Sequence, residues 1–527
     1  MITLHIFILV FLTFFTRIFP RILQPSSFFS DTYYHLLSAE SIRNNHFRIP
    51  KTIKGLCFPG PFDYPPLFPY FLAIFNAQSR EKIEKFVSAF VDIMLVLIMY
   101  FLASDFLNYF IPRAANINIS SAAFVCSLLY LLSPALLFFG FGPRAYHATP
   151  RAVSELFFYI AMFVLFYFFF YNNLLFLVFS IFFSVLLLLT SKFGAQVLLF
   201  FSVIISIFLH TWLLLLTLVL GFIAVLVISK GHYLEVLKGH LGHLILFKKI
   251  TSKIHPAIQR KNKLINILTL PKDILFNRKK AFGTLIFDNS FVILLMRNPQ
   301  LVILSSWFLI NTKQHLPNVN SQVYFLFIWV IASMIIFIFT SLRPFLFLGE
   351  AERYINYSLI PQYILFGFIF SKTKFFTPLV IFLILYSLIM YMVYIYIFLR
   401  WCAANRENEF QKKEVFDFLK DYSQNLKILP ICEDVYELAY RSKKDVLYPS
   451  GNYRIDYLSV EEFKRLYEVF YSPHRDIKYI LDKYALNSIF VSNKQLEYLK
   501  NNFNIEYDFS SFKKAFENIK YTVYLKE

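Results

Sequence analysis

Apolar runs of bilayer length recur along this chain, separated by polar segments of very unequal size. A transmembrane helix needs about 17–25 mostly apolar residues, and about eleven stretches fit or approach that length. They are 2–19, 86–107, 120–140, 153–171, 174–190, 195–209, 212–229, 290–310, 323–341, 354–370 and 376–400. The stretch 66–75 is too short to span and follows a proline pair, which predicts a juxtamembrane or re-entrant helix. The first run lacks a basic leader and a small-residue cleavage site, so it reads as an uncleaved first helix.

Three polar regions remain. Residues 21–85 form a long first loop. Residues 230–288 are strongly basic and contain amphipathic pieces such as Tyr233-Leu234-Glu235-Val236-Leu237-Lys238, predicting helices that lie on the membrane surface. From Trp401 the composition becomes mixed and charged: 414–422, 475–484 and 494–502 read as helices, and 426–431, 488–491 and 522–525 as short strands. The expected fold is therefore mainly α: a polytopic bundle of about eleven transmembrane helices over 1–400, with a small C-terminal α/β domain outside the bilayer over 401–527. An odd number of crossings puts the first loop, the basic loop and the tail on one face.

Composition agrees. Hydrophobic residues make up 57% and charged residues 16%, with 67 phenylalanines, which excludes a soluble globular class. The net charge is +19, and the tail from Trp401 carries equal numbers of acidic and basic residues, so the whole excess lies in the membrane part. It suits lipid headgroups and lipid phosphates, whereas the scatter of basic residues between apolar runs argues against nucleic acid. The positive-inside rule would make the loop-rich face cytoplasmic, although long segments obey that rule weakly. Cys57, Cys126, Cys402 and Cys432 are too far apart for a disulfide framework or a metal-ligand spacing, and no metal is expected.

The candidate chemistry lies in the first loop. Asp31 opens a predicted helix, with His35 one turn on at i+4, and Asp63 begins the run Asp63-Tyr64-Pro65-Pro66-Leu67. A carboxylate beside a bilayer, partly desolvated, suits general-base work; it is equally a helix-capping group, and Asp63 equally a residue that holds the loop. Arg144, Arg151, Lys192 and Arg353 end on the same side as Asp31 in an eleven-span chain and are candidates to bind a phosphate, with Tyr354 beside Arg353. Arg151 has Glu155 at i+4, and an ion pair is its expected role. Asp92, inside an apolar run, calls for a hydrogen bond to a neighbouring helix.

These residues bring in a family. Asp31-x-x-Tyr34-His35, a proline-containing loop, and Asp63-Tyr64-Pro65-Pro66-Leu67-x-x-Tyr70 resemble the first luminal loop of the GT-C superfamily of integral-membrane glycosyltransferases. Glu350-Ala351-Glu352-Arg353-Tyr354 resembles the Glu-Arg-Tyr ahead of a late helix in some members. The superfamily includes lipid-phosphate-dependent glucosyl- and mannosyltransferases and protein O-mannosyltransferases. The resemblance implies a polyprenyl- or dolichyl-phosphate sugar donor and a glycan, lipid or protein hydroxyl as acceptor. It implies inverting transfer with Asp31 as base and Asp63 assisting, no cofactor, and a multi-pass protein of a prokaryotic plasma membrane or the endoplasmic reticulum. The active site would then be on the non-cytoplasmic face, with His35, Tyr64, Arg144, Arg151, Lys192, Arg353 and Tyr354 binding substrate. The Trp-Trp-Asp-x-Gly signature of oligosaccharyltransferases is absent, since Trp212, Trp307, Trp329 and Trp401 are isolated. An oligosaccharyltransferase-like enzyme and a non-catalytic transporter or flippase of lipid-linked sugars remain the alternatives.

Overall fold

In a computed structural model, the protein is described over residues 1–23, 30–57, 60–110, 118–137, 149–251, 262, 265–277, 281, 284, 289–315, 321–371, 373–432, 435–448, 456–466, 472–473 and 476–526. It divides into two compact units. The first comprises Met1–Ile22, Lys85–Ile228 and Ala257–Phe398; the second comprises Leu23–Glu84, Ser229–Pro256 and Leu399–Glu527. This differs from the linear division at residue 400, for a physical reason given below.

Among the described residues of the whole chain, seven helices are long and apolar enough to cross a membrane, or nine if each of two sharply bent pairs is one span. The predicted runs 174–190 and 354–370 are helical but short, as Leu174–Leu188 and Leu359–Phe370. In the first unit, the predicted run 290–310 is broken by a 91° bend between Ser290–Arg297 and Pro299–Ile310. Helix ends are set by local chemistry. Thr149 caps the Pro150–Tyr171 helix and Pro150 occupies its first turn. Asn172 then takes a left-handed conformation, and the Asn173 side chain caps Leu174–Leu188, giving a tight antiparallel hairpin. Small residues let backbones approach: a Cβ at Gly221 would touch Ser184 at 3.4 Å, and Ser180 donates to the Ala161 carbonyl at 3.0 Å. Trp329, fully buried, packs against Phe158, Tyr159 and Phe163 and donates its indole N–H to the Tyr357 carbonyl at 2.9 Å.

Asp92 meets a cation. Arg17 and Asp92 are buried at 0% and 1% exposure, with Arg17 Nε 2.5 Å from the Asp92 carboxylate. The guanidinium also donates to the Leu131 carbonyl at 3.0 Å and the Thr16 hydroxyl at 3.1 Å.

The second unit is built on a six-stranded sheet in the order β1-β3-β2-β4-β6-β5. Its strands are β1 Leu56–Cys57, β2 Lys427–Ile431, β3 Asp445–Leu447, β4 Ser488–Ser492, β5 Phe512–Glu517 and β6 Tyr521–Lys526. The first four in that order run parallel, and β6 and β5 add antiparallel. β1 comes from the first polar loop and pairs with β3 of the tail, so the loop shares the tail's sheet rather than belonging to a separate 1–400 domain. Gly55 allows this: it holds φ +90°, and its carbonyl accepts from Val446 N at 2.9 Å. The basic loop also joins. Its helix His232–Leu246 continues as a short π-helical turn, and Leu246 and Ile250 are buried in one core with Leu429, Ile489 and Phe463. Here the predicted surface helix buries Tyr233, Val236 and Leu246 in protein and leaves Leu234, Leu241 and Ile245 exposed. The helix Leu67–Ala73 stands where the juxtamembrane helix was predicted. Arg43 caps its end by donating to the Ala73 and Ile74 carbonyls at 3.2 and 3.1 Å.

Arg17→Met leaves Asp92 buried without its partner, a change expected to cost about 3–5 kcal/mol. Thermal unfolding of the detergent-solubilised chain should show the Tm falling, and Arg17→Met combined with Asp92→Leu should recover most of it. Equal Tm values for the single variant and the parent would remove the pair's structural role.

Candidate active site

In the second unit, the helix Ser30–Asn44 carries Asp31 in its first turn, where the helix dipole favours a negative charge. Asp31 is exposed, while Thr32 through Ala39 are buried. The helix is thus anchored along this stretch with its leading carboxylate left accessible. Tyr33 donates to Glu437 at 3.1 Å and accepts from Arg441 at 2.8 Å. Burial and the neighbouring Glu437 push the Tyr33 phenol pKa up. Tyr34 packs against Tyr64 and Tyr436, with ring centroids 5.6 and 5.1 Å away. His35 is buried between Tyr64 and Phe68, each 5.3 Å away.

Asp63 is fully buried. Its side chain lies against Gly239 of the His232–Leu246 helix so closely that a Cβ there would overlap the carboxylate. The same helix stacks His232 on Phe62 at 5.7 Å. Burial, and then the Asp63 charge, hold the Tyr34 phenol well above its ordinary range. Tyr436 is raised by burial and then by Tyr448 and Tyr34, with Asp31 contributing. Asp31, His35, Asp63 and Tyr64 are therefore gathered round one tyrosine pair, Tyr34 and Tyr436. The sequence pointed to the first four. It gave no signal for Tyr436 or Gly239, which lie hundreds of residues away and belong to no motif.

In the first unit, three segments carry the candidate cations. Arg151 lies in the first turn of Pro150–Tyr171, capped by Thr149, and Lys192 opens Lys192–Leu209, capped by Ser191. Arg353 lies in the short helix Glu352–Asn356. Their neighbours stitch these segments together. Gln196, one turn after Lys192, donates to the Leu348 carbonyl at 3.0 Å and to the Tyr354 hydroxyl. Tyr354 also donates to Leu348 O at 2.8 Å. Ser154, one turn after Arg151, shares a 3.1 Å hydrogen bond with Tyr357. A Cβ at Gly194 would stand 2.9 Å from that of Ser154, so the two helix starts touch.

Arg353 is held by Glu350 at 2.7 Å. The expected Arg151–Glu155 pair is corrected: among the described residues Arg151 makes no ion pair, and its Nη1 is buried without a hydrogen-bond partner. The i+4 spacing permits that pair, but the Arg151 side chain does not take it. Arg144 lies outside the described residues. Two helix N-termini favour an anion at this end of the unit, where the three cations stand among the carboxylates of Glu155, Glu350 and Glu352. Among the described residues, no group of three or more His, Cys, Asp or Glu side chains is placed to hold a metal ion.

No family model and no curated protein matches the sequence. Solved structures do match. The chain shares its fold with two solved proteins, ArnT and an archaeal oligosaccharyltransferase. It is similar to ArnT from Cupriavidus metallidurans in the apo state, with TM-score 0.56 and 11% identity over 99% of this chain and 97% of that one. The same ArnT bound to undecaprenyl phosphate gives TM-score 0.55 at 11% identity, again over 99% and 97%. The apo oligosaccharyltransferase of Archaeoglobus fulgidus gives TM-score 0.55 at 11% identity, over 93% of this chain and 69% of that one.

Gly239→Ala should displace Asp63 and destabilise the protein by about 1–3 kcal/mol, as overpacking does. A lowered Tm checks it, and Gly239→Ala with Asp63→Ala should restore part of the loss. A single variant as stable as the parent would show that the helix moves aside without cost.

Proposed function

We propose that this protein is a membrane glycosyltransferase that moves a hexose-type sugar from a polyprenyl- or dolichyl-phosphate donor to a hydroxyl of a glycan, lipid or protein. The observation that carries the reading is the exposed Asp31, opening an anchored helix in a chain with the GT-C fold. Asp31 takes the proton of the acceptor hydroxyl, and the freed oxygen attacks the anomeric carbon from the side opposite the phosphate. The bond from that carbon to the phosphate oxygen breaks, the lipid phosphate departs with the electron pair, and the anomeric configuration inverts. The leaving group is already a phosphate, so the step calls for cations rather than a general acid. The first unit offers Arg151, Lys192 and Arg353 as candidate cations, Arg151 with a buried N–H group that no protein atom among the described residues accepts from.

Asp63 is a positioning residue in this scheme: with no exposed surface, it fixes the loop and the Tyr34 side chain instead of touching the acceptor. His35, boxed by aromatic rings, has the same standing. The lipid-phosphate donor class is supported by the undecaprenyl phosphate bound in ArnT and the dolichol-phosphate bound in the archaeal enzyme. We place the reaction on the non-cytoplasmic side and without a bound metal, using the protein's own cations. Similarity to the archaeal oligosaccharyltransferase favours one second reading, transfer to protein with a divalent metal.

Asp31→Asn should lower sugar transfer from a polyprenyl-phosphate donor by about 10²–10⁴-fold with donor affinity kept, as loss of a general base does. Full activity in that variant would refute the assignment. The product anomer, read by NMR, should be opposite to the donor's. Arg151→Ala should raise the donor KM, and an unchanged KM would take it out of the site. Activity should persist in a metal chelator; its collapse would instead support the oligosaccharyltransferase-like reading.

A further inference from the structure

At the other end of the first unit the helices Ala77–Phe110 and Pro150–Tyr171 finish side by side, enclosing a small pocket of about 30 Å³ in which eight of the twelve lining residues are aromatic. Arg151 and Tyr171 mark opposite ends of one 22-residue helix, so this pocket is about 30 Å from the cation group, one hydrocarbon thickness away. Its one charged wall residue is Asp105, exposed and accepting a 2.7 Å hydrogen bond from the Tyr167 hydroxyl. Tyr109, Phe110, Phe170 and Tyr171 stand round it. Their rings brace one another at 4.8 to 5.3 Å: Tyr109 on Phe110 and Phe170, and Phe170 on Tyr171.

Three features of the pocket favour a cation. The ring faces carry negative quadrupole density, the carboxylate adds a full charge, and both helices direct their negative C-terminal ends here. Depth narrows the class. Asp105 is five residues and Tyr167 four residues from their helix ends, about 6–8 Å along the axis, which is headgroup level rather than bilayer centre. An exposed carboxylate at that level meets headgroups, whose zwitterionic members carry ammonium ends.

We propose that this pocket binds the primary ammonium of an ethanolamine phospholipid, with Asp105 as counter-ion and the tyrosine and phenylalanine rings as its walls. The inference is independent of the proposed reaction, because it uses no residue of that site.

The test is native mass spectrometry of the full chain released from nanodiscs of mixed phosphatidylethanolamine and phosphatidylglycerol. The parent should retain the ammonium lipid over the anionic one by about tenfold, the size expected of a cation–π site with a counter-ion. Asp105→Asn should lose that preference. Tyr167→Phe, which keeps the carboxylate, should retain it, so loss in the first variant with retention in the second separates charge from misfolding. Methylammonium added to the sample should displace the retained lipid. Equal retention of both lipids by the parent would overturn the proposal. So would retention that survives Asp105→Asn, or displacement of nothing by methylammonium.

Discussion

A polar group placed among lipid tails has no water to turn to, so every one inside the bundle must find its partner in the protein. The Arg17–Asp92 pair is the strongest case. Its guanidinium serves the carboxylate, the Leu131 carbonyl and the Thr16 hydroxyl, which are contributed by three successive membrane helices. The first two of those helices flank the long first loop in sequence. A buried pair contributes little net stability against apolar replacements, so its value here is in register: neither helix can slide without leaving a bare charge in hydrocarbon.

The same rule shapes the end of the bundle that carries the cations. Gln196, Tyr354 and the Leu348 carbonyl satisfy one another, and Ser154 and Tyr357 do the same beside them. These bonds lie one turn below Lys192 and Arg151 and next to Arg353. Satisfied backbone and side-chain groups therefore form a floor, and charges stand on its rim. Glu350 offsets Arg353 there at 2.7 Å, so the rim is a mixture of charges.

How much of this could be read from the sequence depended on how far apart the partners lie. The membrane runs were legible because a span of apolar residues needs no knowledge of its neighbours, and β2, β4 and β6 were legible from alternation and β-branched content. β1, β3 and β5 were not: two and three residues show no period, β1 pairs with β3 alone among the described residues, and β5 reads Phe-Lys-Lys-Ala-Phe-Glu without alternation. The amphipathic pattern of the basic loop was seen, but amphipathicity does not say whether the apolar face meets lipid or protein, and Leu246 and Ile250 chose protein. Asp31 and Asp63 stood out by setting. That one is exposed and the other sealed under Gly239 follows from a helix some 180 positions on, which no local pattern records. Arg151 shows the converse: spacing offered it Glu155, and the fold left that offer unused.

The tail is part of this machinery rather than an appendage. Glu437 is almost fully buried, and a desolvated carboxylate must be compensated by close charges and donors. Lys412 reaches it at 3.1 Å, Arg441 at 2.9 Å and the Tyr33 hydroxyl at 3.1 Å. Tyr33 is two residues from Asp31 on the same helix, so the orientation of the candidate base is tied to a network whose other members lie some 400 positions later. β1 repeats the linkage through the backbone, and Lys443 paired with Glu40 at 3.0 Å repeats it at the surface. The surface pair is worth little by itself. The buried one is different: shifting the first-loop helix would strand the Tyr33 hydroxyl and unbalance Glu437 together. A helix so tied cannot wander with thermal motion of its loop, and a base that must meet a hydroxyl at hydrogen-bond distance needs that restraint.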